Sequence, residues 1–172
     1  MPHTVTNVFL SSTYVDLKAH RTQVANAIRR MQDYRLIAME DFGSSRQPPV
    51  KFCVEQVQSA DIYLGLIGWR YGFIDSNTGK SATEIEYRTA LSCDIPLLLY
   101  ILADDYPIPA NQIDTGDNAS RIRALRDEIK ASHTVQFFRE PTDVAARVAT
   151  DLYGLRTLER RRFRRIDRPV DY

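Results

Sequence analysis

The sequence predicts an α/β protein in which a parallel β-sheet is covered by helices on both faces. Short apolar runs alternate along the chain with longer segments of helical period, which is the pattern of repeated strand–helix units. One of these runs, DIYLGLIG (residues 61–68), is almost continuously apolar, as a central strand buried on both faces would be. The length of 172 residues is close to the usual size of one domain. We therefore expect a single α/β domain.

The first half of the chain contains three expected strands and two expected helices. The strands are residues 5–10, 35–40 and 61–68, and the helices are residues 13–32 and 48–60. The first helix has one apolar stripe, which is formed by Leu17, Val24, Ile28 and Met31. The second helix opens with Pro48 and Pro49, because proline suits the first turn of a helix.

The second half continues the same alternation. After a loop at residues 69–80, the expected elements are a helix at 81–91, a strand at 95–103, a helix at 119–132, a strand at 134–138 and a last helix from 141. Parallel strands are joined by right-handed crossovers, so these strand–helix units favour a flavodoxin-like three-layer sandwich. The predicted five-stranded parallel sheet has the order 2-1-3-4-5.

This strand order predicts where a ligand would bind. In such sheets, ligands bind outside the carboxyl ends of the strands, at the point where the strand order reverses. Here the order reverses between the first and third strands. The segments that follow the first four strands are SSTYVD, EDFGS, GWRYGF and DDYPIPANQIDTGDN. Asp41 of the second segment is a candidate nucleotide contact for this reason.

Composition and charge exclude several classes of protein. Charged residues make up 26% and hydrophobic residues 44%, and the net charge is +1, which argues against a disordered chain or a strongly basic nucleic-acid binder. The longest apolar run, IPLLLYILA, is far shorter than the roughly 20 residues that span a bilayer. The N-terminus lacks a signal-peptide pattern, which favours a cytoplasmic location. Cys53 and Cys93 are expected to be reduced thiols, and the histidines and cysteines lack zinc-ligand spacing.

Hydroxyl side chains mark the start of the first helix. Ser11, Ser12 and Thr13 can cap the free backbone N–H groups of a helix. The same N–H groups also attract anions such as phosphate. Both interpretations stay open at this point, and all three residues are candidate nucleotide contacts.

Arg21 interrupts the apolar stripe of the first helix. A buried charge needs a partner, and the candidates are Asp16 and a ligand phosphate. Alternatively, the stem of Arg21 lies on the core and its guanidinium reaches solvent. Asp16 and Arg21 are therefore both candidate site residues.

The segment GWRYGF follows the third strand at the expected reversal point. Trp69 and Tyr71 offer flat apolar rings, Arg70 offers a cation, and the flanking glycines allow close approach of a ligand. Such a set suits a nucleobase and a phosphate. The alternative is that the two aromatic residues simply belong to the core.

Two carboxylates, Glu84 and Glu86, occur in the helix TEIEYRTALSC. They flank its apolar side, which centres near Tyr87, from opposite directions, so periodicity cannot choose between them. Glu84 is closer to the helix N-terminus and is the candidate catalytic residue, with Glu86 and Tyr87 as nucleotide contacts. Acidic residues are also favoured in a first helical turn without any ligand.

The tail RTLERRRFRRIDR is rich in arginine. We expect residues 156–172 to form a helix extension or linker after a domain at residues 1–155. Contact with nucleic-acid phosphates is a weaker alternative, because no aromatic stacking platform accompanies the arginines.

Four blocks of sequence resemble a known family. VFLSSTYVDLKAHR, SADIYLGLIGWRYG, SATEIEYRTAL and IPLLLYIL, within residues 7–102, resemble the TIR-like domain filed as domain-of-unknown-function family 4062. This domain is known from the N-terminal side of NACHT and other STAND ATPases. The resemblance implies a TIR-like fold and a role in signalling or immunity.

The chain is also distantly similar to TIR domains and nucleoside 2-deoxyribosyltransferases, which cleave N-glycosidic bonds. TEIEYRTA is similar to the Glu-hydrophobic-Gly-Tyr-Ala pattern of the transferases, which would place the catalytic carboxylate on Glu84. Glu86 stands where the transferases have glycine, and His20 stands where family 4062 often has glutamate. The Ser-x-Trp-Cys-x-x-Glu pattern of NAD-cleaving TIR domains is absent from the sequence.

Two functions are therefore expected as alternatives. The first is a nucleotide-binding domain that cleaves an N-glycosidic bond, with NAD as a candidate substrate and without a cofactor or metal. The second is an inactive signalling module that self-associates when an attached NACHT or STAND ATPase assembles. The expected partners are a small nucleotide, further copies of the chain and that ATPase, but neither nucleic acid nor a membrane.

Overall fold

A computed structural model describes residues 5–42 and 50–166, with side chains described as far as residue 157. The strands are β1 (Thr6–Ser11), β2 (Tyr34–Ala38), β3 (Ile62–Ile67), β4 (Leu97–Leu102) and β5 (Gln136–Phe138). The helices are α1 (Lys18–Arg29), α2 (Val50–Gln58), α3 (Ala82–Ser92), α4 (Gly116–Ser132) and α5 (Pro141–Ile166). In this described part, no helix combines the length and the apolar character needed to cross a membrane.

The five strands form one parallel sheet in the order β2-β1-β3-β4-β5, which confirms the predicted flavodoxin-like topology. Helices α1 and α5 cover one face, where Leu17, Val24 and Val148 belong to one apolar core. Helices α2, α3 and α4 cover the other face, where Val57, Tyr87 and Ile129 belong to a second core. The sheet is therefore the middle layer of three.

The central strand β3 is buried along its whole length, as its continuous apolar sequence predicted. Gly68, directly after this strand, lies against the turn that follows β1. A Cβ atom at residue 68 would come within 2.5 Å of the Asp16 carboxylate oxygen Oδ2. Glycine at this position therefore lets the chain after β1 and the chain after β3 approach each other.

Several element boundaries differ from the predicted ones. Helix α1 begins at Lys18 and not near residue 13, because residues 14–17 form a turn in which the Thr13 hydroxyl donates to Asp16 Oδ1 at 2.5 Å. Helix α4 begins earlier than predicted, at Gly116, which has a φ of 62°. Helix α5 begins at Pro141, as predicted, and runs to Ile166. The predicted opening of α2 by Pro48 and Pro49 lies outside the described residues.

A buried arginine joins the carboxyl ends of β3 and β4. The Arg126 side chain is 1% exposed. Its guanidinium donates to the backbone oxygens of Gly68 at 3.1 Å and Leu102 at 2.9 Å, and to Asp104 at 2.6 Å. It also lies 3.8 Å from the centre of the Trp69 ring. One side chain thus satisfies carbonyl groups that would otherwise be left unpaired at the ends of two central strands.

We expect Arg126→Met to lower the free energy of unfolding by about 3 kcal/mol, because it leaves buried carbonyl groups without donors. Arg123→Met on the same helix is the matched control, since Arg123 is exposed. Urea denaturation of both variants measures the difference. Equal stability of the two variants would contradict the structural role of Arg126.

Candidate functional site at the carboxyl end of the sheet

A pocket of about 330 Å³ lies at the carboxyl ends of β1, β2 and β3, where the strand order reverses. This is where the topology predicted a ligand site. The pocket is enclosed by the chain after these strands and by the first turns of α2 and α3. The lining residues are Ser12, Thr13, Tyr14, Val15, Met39, Val50, Cys53, Arg70, Gly72, Phe73, Ala82, Thr83 and Glu86.

Glu86 supplies the carboxylate of this pocket. It projects from α3 toward the end of β1, where the Ser11 hydroxyl donates to Glu86 Oε2 at 2.5 Å. The Cys53 thiol of α2 forms a second side-chain hydrogen bond with Glu86. Ser11 and Cys53 therefore hold the carboxylate, while one side of it still faces the pocket.

Burial raises the pKa of Glu86 to about 7. The hydrogen bond from Ser11, the positive charge of Arg21 and the hydrogen bond from Cys53 act in the opposite direction and limit the rise. In turn, burial and then the charge of Glu86 raise the pKa of Cys53 to about 12. Near neutral pH, Glu86 can therefore both accept and release a proton, whereas the thiol stays protonated.

Glu84 lies outside the pocket lining, although it was the predicted catalytic residue. Tyr71 Oη donates to Glu84 Oε2 at 2.5 Å, and Arg88 Nη2 lies 3.0 Å from Glu84 Oε1. Two residues in an α-helix are separated by about 200° when they are two positions apart, so only one of the two carboxylates can face the pocket. The rotation of α3 gives that place to Glu86. Glu84 instead occupies the side of α3 that faces α4, where Arg88 also pairs with Glu128.

The predicted aromatic platform of Trp69 and Tyr71 also lies outside the pocket lining. Tyr71 is 3% exposed and belongs to the core under α3, and Trp69 stacks on Arg126. Gly72, with a φ of 92°, turns the chain after Tyr71 so that Phe73 reaches the pocket. Phe73 and Tyr14, which are 54% and 40% exposed, are the aromatic residues at its mouth.

Arg70 lines the pocket as predicted, and it is the one cationic side chain in the lining within the described part of the chain. Its Nε atom is 3.9 Å from Asp114 Oδ1, a long ion pair. Asp114 comes from the long loop after β4 and also accepts from the Tyr71 backbone N–H at 2.6 Å. Arg70 therefore keeps donors available for an anionic ligand.

Arg21 is buried, and its partner differs from both predicted candidates. The guanidinium pairs with Glu40 after β2, with Nε 2.6 Å from Oε1 and Nη2 2.8 Å from Oε2. Its Nη1 donates to Ser12 Oγ at 2.9 Å. The guanidinium pairs with neither Asp16 nor solvent, because the chain after β2 brings Glu40 against it.

The remaining predicted contacts divide between the pocket and its surroundings. Ser12 and Thr13 line the pocket, and Ser11 binds its carboxylate. Asp16 is behind the pocket, where burial raises its pKa despite the hydrogen bond from Thr13. Asp41 pairs with Arg29 on the surface, and Tyr87 is buried with its hydroxyl 2.8 Å from His133 Nε2. Neither of these last two residues lines the pocket.

Sequence reasoning missed several lining residues. They are Tyr14, Val15, Met39, Val50, Cys53, Phe73, Ala82 and Thr83. Phe73 carried a signal, since it ends the GWRYGF segment that follows β3, and Tyr14 lies in the segment that follows β1. Cys53 carried none, because its place depends on how α2 packs beside α3. Both Cys53 and Cys93 are free thiols, as predicted.

The fold and the site together define a flavodoxin-like α/β protein with a pocket at the strand-order reversal. The family model described as Domain of unknown function (DUF4062) matches residues 7–153, and the chain belongs to this family. This confirms the family resemblance found from the sequence blocks. No curated protein matches the chain.

Solved structures that are similar to the chain include the following three. A conserved protein from Enterococcus faecalis V583 is 14% identical with a TM-score of 0.47, covering 86% of this chain and 99% of that one. The CMP N-glycosidase of Clostridium botulinum is 15% identical with a TM-score of 0.49, again covering 86% and 99%. A flavodoxin from the domain Archaea is 12% identical with a TM-score of 0.35, covering 84% and 99%.

The raised pKa of Glu86 predicts a specific pH dependence of stability. The folded protein holds this proton up to about pH 7, whereas an unfolded chain releases it near the ordinary pKa of 4.5. Between these values the folded state binds more protons, so the free energy of unfolding falls as pH rises. Over this range, we expect the free energy of unfolding of wild type to fall by on the order of 3 kcal/mol relative to that of Glu86→Gln.

Urea denaturation of both proteins from pH 4 to pH 8 measures this difference. Glu55→Gln is the control, because Glu55 is exposed on the neighbouring helix α2. If the free energies of unfolding of wild type and Glu86→Gln differ by the same amount at all pH values, the desolvation of Glu86 is contradicted.

Proposed function

We propose that this protein binds a nucleotide in the pocket and hydrolyses its N-glycosidic bond, with Glu86 as the catalytic carboxylate. One observation carries the proposal: a desolvated carboxylate, held by Ser11 and Cys53, faces a ligand-sized pocket at the reversal point of the sheet. Desolvated carboxylates with a raised pKa are concentrated at catalytic sites. The sequence similarity to N-glycosidic transferases supports the class of reaction, whereas its pattern aligns their catalytic acid with Glu84 and their glycine with Glu86.

The chemistry of N-glycosidic hydrolysis matches one buried carboxylate. When the bond between the base and C1′ of the sugar breaks, its electron pair leaves with the base and the sugar becomes positively charged. Ionised Glu86 would stabilise this cation or form a covalent bond to C1′. Water then supplies the new oxygen at C1′, and its proton passes to Glu86 and finally to solvent or the base. Water is the only co-reactant required.

The pocket walls offer complementary groups for the rest of a nucleotide. Tyr14 and Phe73 present apolar rings at the mouth, which suit the face of a base. Arg70 suits a phosphate. The hydroxyls of Ser12 and Thr13 also line the pocket, but they already donate to the Thr13 backbone oxygen and to Asp16. A volume of about 330 Å³ is at the small end for ligand pockets. With NAD as substrate, one of its two nucleotide halves would occupy the pocket.

We expect Glu86→Gln to reduce hydrolysis by about 100-fold or more, because the amide cannot stabilise a sugar cation. Glu84→Gln should keep activity within about threefold of wild type, since its carboxylate lies outside the pocket. Release of free base from NAD, nucleoside monophosphates and nucleosides, followed by mass spectrometry, measures both. Full turnover by Glu86→Gln, or loss of turnover in a folded Glu84→Gln, would contradict the assignment.

We expect Arg70→Gln to weaken nucleotide binding by about tenfold, a loss of about 1.4 kcal/mol. The reason is that Arg70 provides the cation of the pocket. Binding of the matching nucleoside, which lacks the phosphate, should change little. Calorimetric titration with each ligand tests this, and Arg123→Gln, which changes an exposed residue of α4, is the control. An equal loss of affinity for nucleoside and nucleotide would place the phosphate elsewhere.

Self-association and a following NACHT or STAND ATPase stay predictions from the family resemblance. Assays of the protein both free in solution and clustered on a multivalent support separate the two original alternatives. Turnover that appears only after clustering would mean that both alternatives hold, because assembly would then activate the same pocket.

A further inference from the structure

Arg21 is a fully buried cation in the first turn of α1, and its environment is unusual. Its side chain is 2% exposed, and the other buried residues of α1 are His20 and the apolar Val24, Ala25 and Ile28. A charge in such a place requires several well-directed partners. All the hydrogen bonds of its guanidinium go to residues that follow the strands around the pocket.

The partners of Arg21 come from two neighbouring turns. Nε and Nη2 donate to both oxygens of Glu40, which follows β2 and is next to the pocket residue Met39. Nη1 donates to Ser12 Oγ at 2.9 Å and approaches the Ser12 backbone oxygen at 3.4 Å. A planar guanidinium can make this double contact in one fixed geometry. Arg21 therefore joins the chain after β1 to the chain after β2.

The same guanidinium acts electrostatically on the pocket carboxylate. Glu86 is surrounded by groups from four elements: Ser11 of β1, Cys53 of α2, Tyr63 of β3 and Arg21 of α1. Among these groups, Arg21 is the one that carries a charge, and this charge lowers the pKa of Glu86 against the effect of burial. Glu40 carries the opposing charge on the far side of Arg21. Burial acts to raise the pKa of Glu40, but the hydrogen bonds and charge of Arg21 outweigh it and lower the pKa.

We propose that Arg21 is a positioning residue of the pocket: its buried guanidinium fixes the turns after β1 and β2 against each other and provides the counter-charge for Glu86. This inference rests on the proposed role of Glu86 as the reactive carboxylate. Glu40 completes the arrangement by orienting Arg21 and by balancing part of its charge. A purely structural ion pair would hold the turns together but would leave the ionisation of Glu86 unchanged.

The experiment is a ¹³C NMR titration of the glutamate side-chain carboxyl groups in the free protein, with the Glu86 signal assigned by its loss in Glu86→Gln. In Arg21→Gln, we expect the pKa of Glu86 to rise by about one, because the nearby positive charge is gone. In Glu40→Gln, we expect it to fall, because the charge of Arg21 is no longer balanced. The two substitutions thus shift the same group in opposite directions.

Two further variants complete the design. Arg147→Gln is the control, because it removes an exposed positive charge of α5 that pairs with Asp143. Arg21→Lys keeps the charge without the planar fork, so the pKa of Glu86 should stay close to that of wild type while nucleotide affinity falls. The proposal is overturned if the pKa of Glu86 in Arg21→Gln and in Glu40→Gln equals its pKa in the control Arg147→Gln. A shift of the same sign in both would also overturn it, since it would reflect a general loosening of the pocket.

If Arg21→Gln does not fold, Glu40→Gln decides alone, because Glu40 is partly exposed and its replacement removes no cation. A lower pKa of Glu86 supports the proposal, and an unchanged or higher one overturns it. The readout needs no substrate. If the two variants shift the pKa of Glu86 in opposite directions but the protein hydrolyses no nucleotide, the proposed reaction is wrong and the role of Arg21 stands. If the protein is active but these pKa shifts are absent, the role of Arg21 is wrong and the proposed reaction stands.

Discussion

A carboxylate that is withdrawn from water must be compensated by its neighbours, and this constraint organises the site around Glu86. Ser11, Cys53 and Arg21 each oppose the cost of burying it, and each is delivered by a different element of the fold. The parallel sheet makes this convergence possible, because the carboxyl ends of β1, β2 and β3 meet at one edge. The compensation is incomplete, and the carboxylate is left with a proton affinity suited to chemistry near neutral pH.

Helix α3 places two glutamates in opposite environments only two residues apart. Glu84 accepts from the Tyr71 phenol and pairs with the Arg88 guanidinium, which secures α3 against α4. Glu86 receives two neutral donors, Ser11 and Cys53, and the charge of Arg21. One acid is thus a structural link and the other a candidate reactive group. Pairs of carboxylates with such different surroundings are a recurrent way to assign distinct roles to the same side chain.

The sheet order and the position of the pocket could be predicted from sequence, because alternating strands and helices with right-handed crossovers leave few topologies. The identity of the facing acid could not, since the rotation of α3 depends on how Tyr87 and Ala90 pack beneath it. The partner of Arg21 could not be predicted from the sequence either. Glu40 reaches it only because the chain after β2 turns back in a short 3₁₀ helix at residues 39–42. The turn at Gly72 brings Phe73 to the pocket, while Tyr71 belongs to the core, which was the alternative interpretation of this segment.

Gly68 shows how little space separates the two sides of this site. Its lone hydrogen occupies the gap in which a methyl group would meet the Asp16 carboxylate at 2.5 Å. A larger residue would displace the Asp16 side chain, whose Oδ1 accepts from the Thr13 hydroxyl, and would press on Leu17. The turn after β1 therefore depends on the smallest amino acid at a position that lies outside the pocket lining.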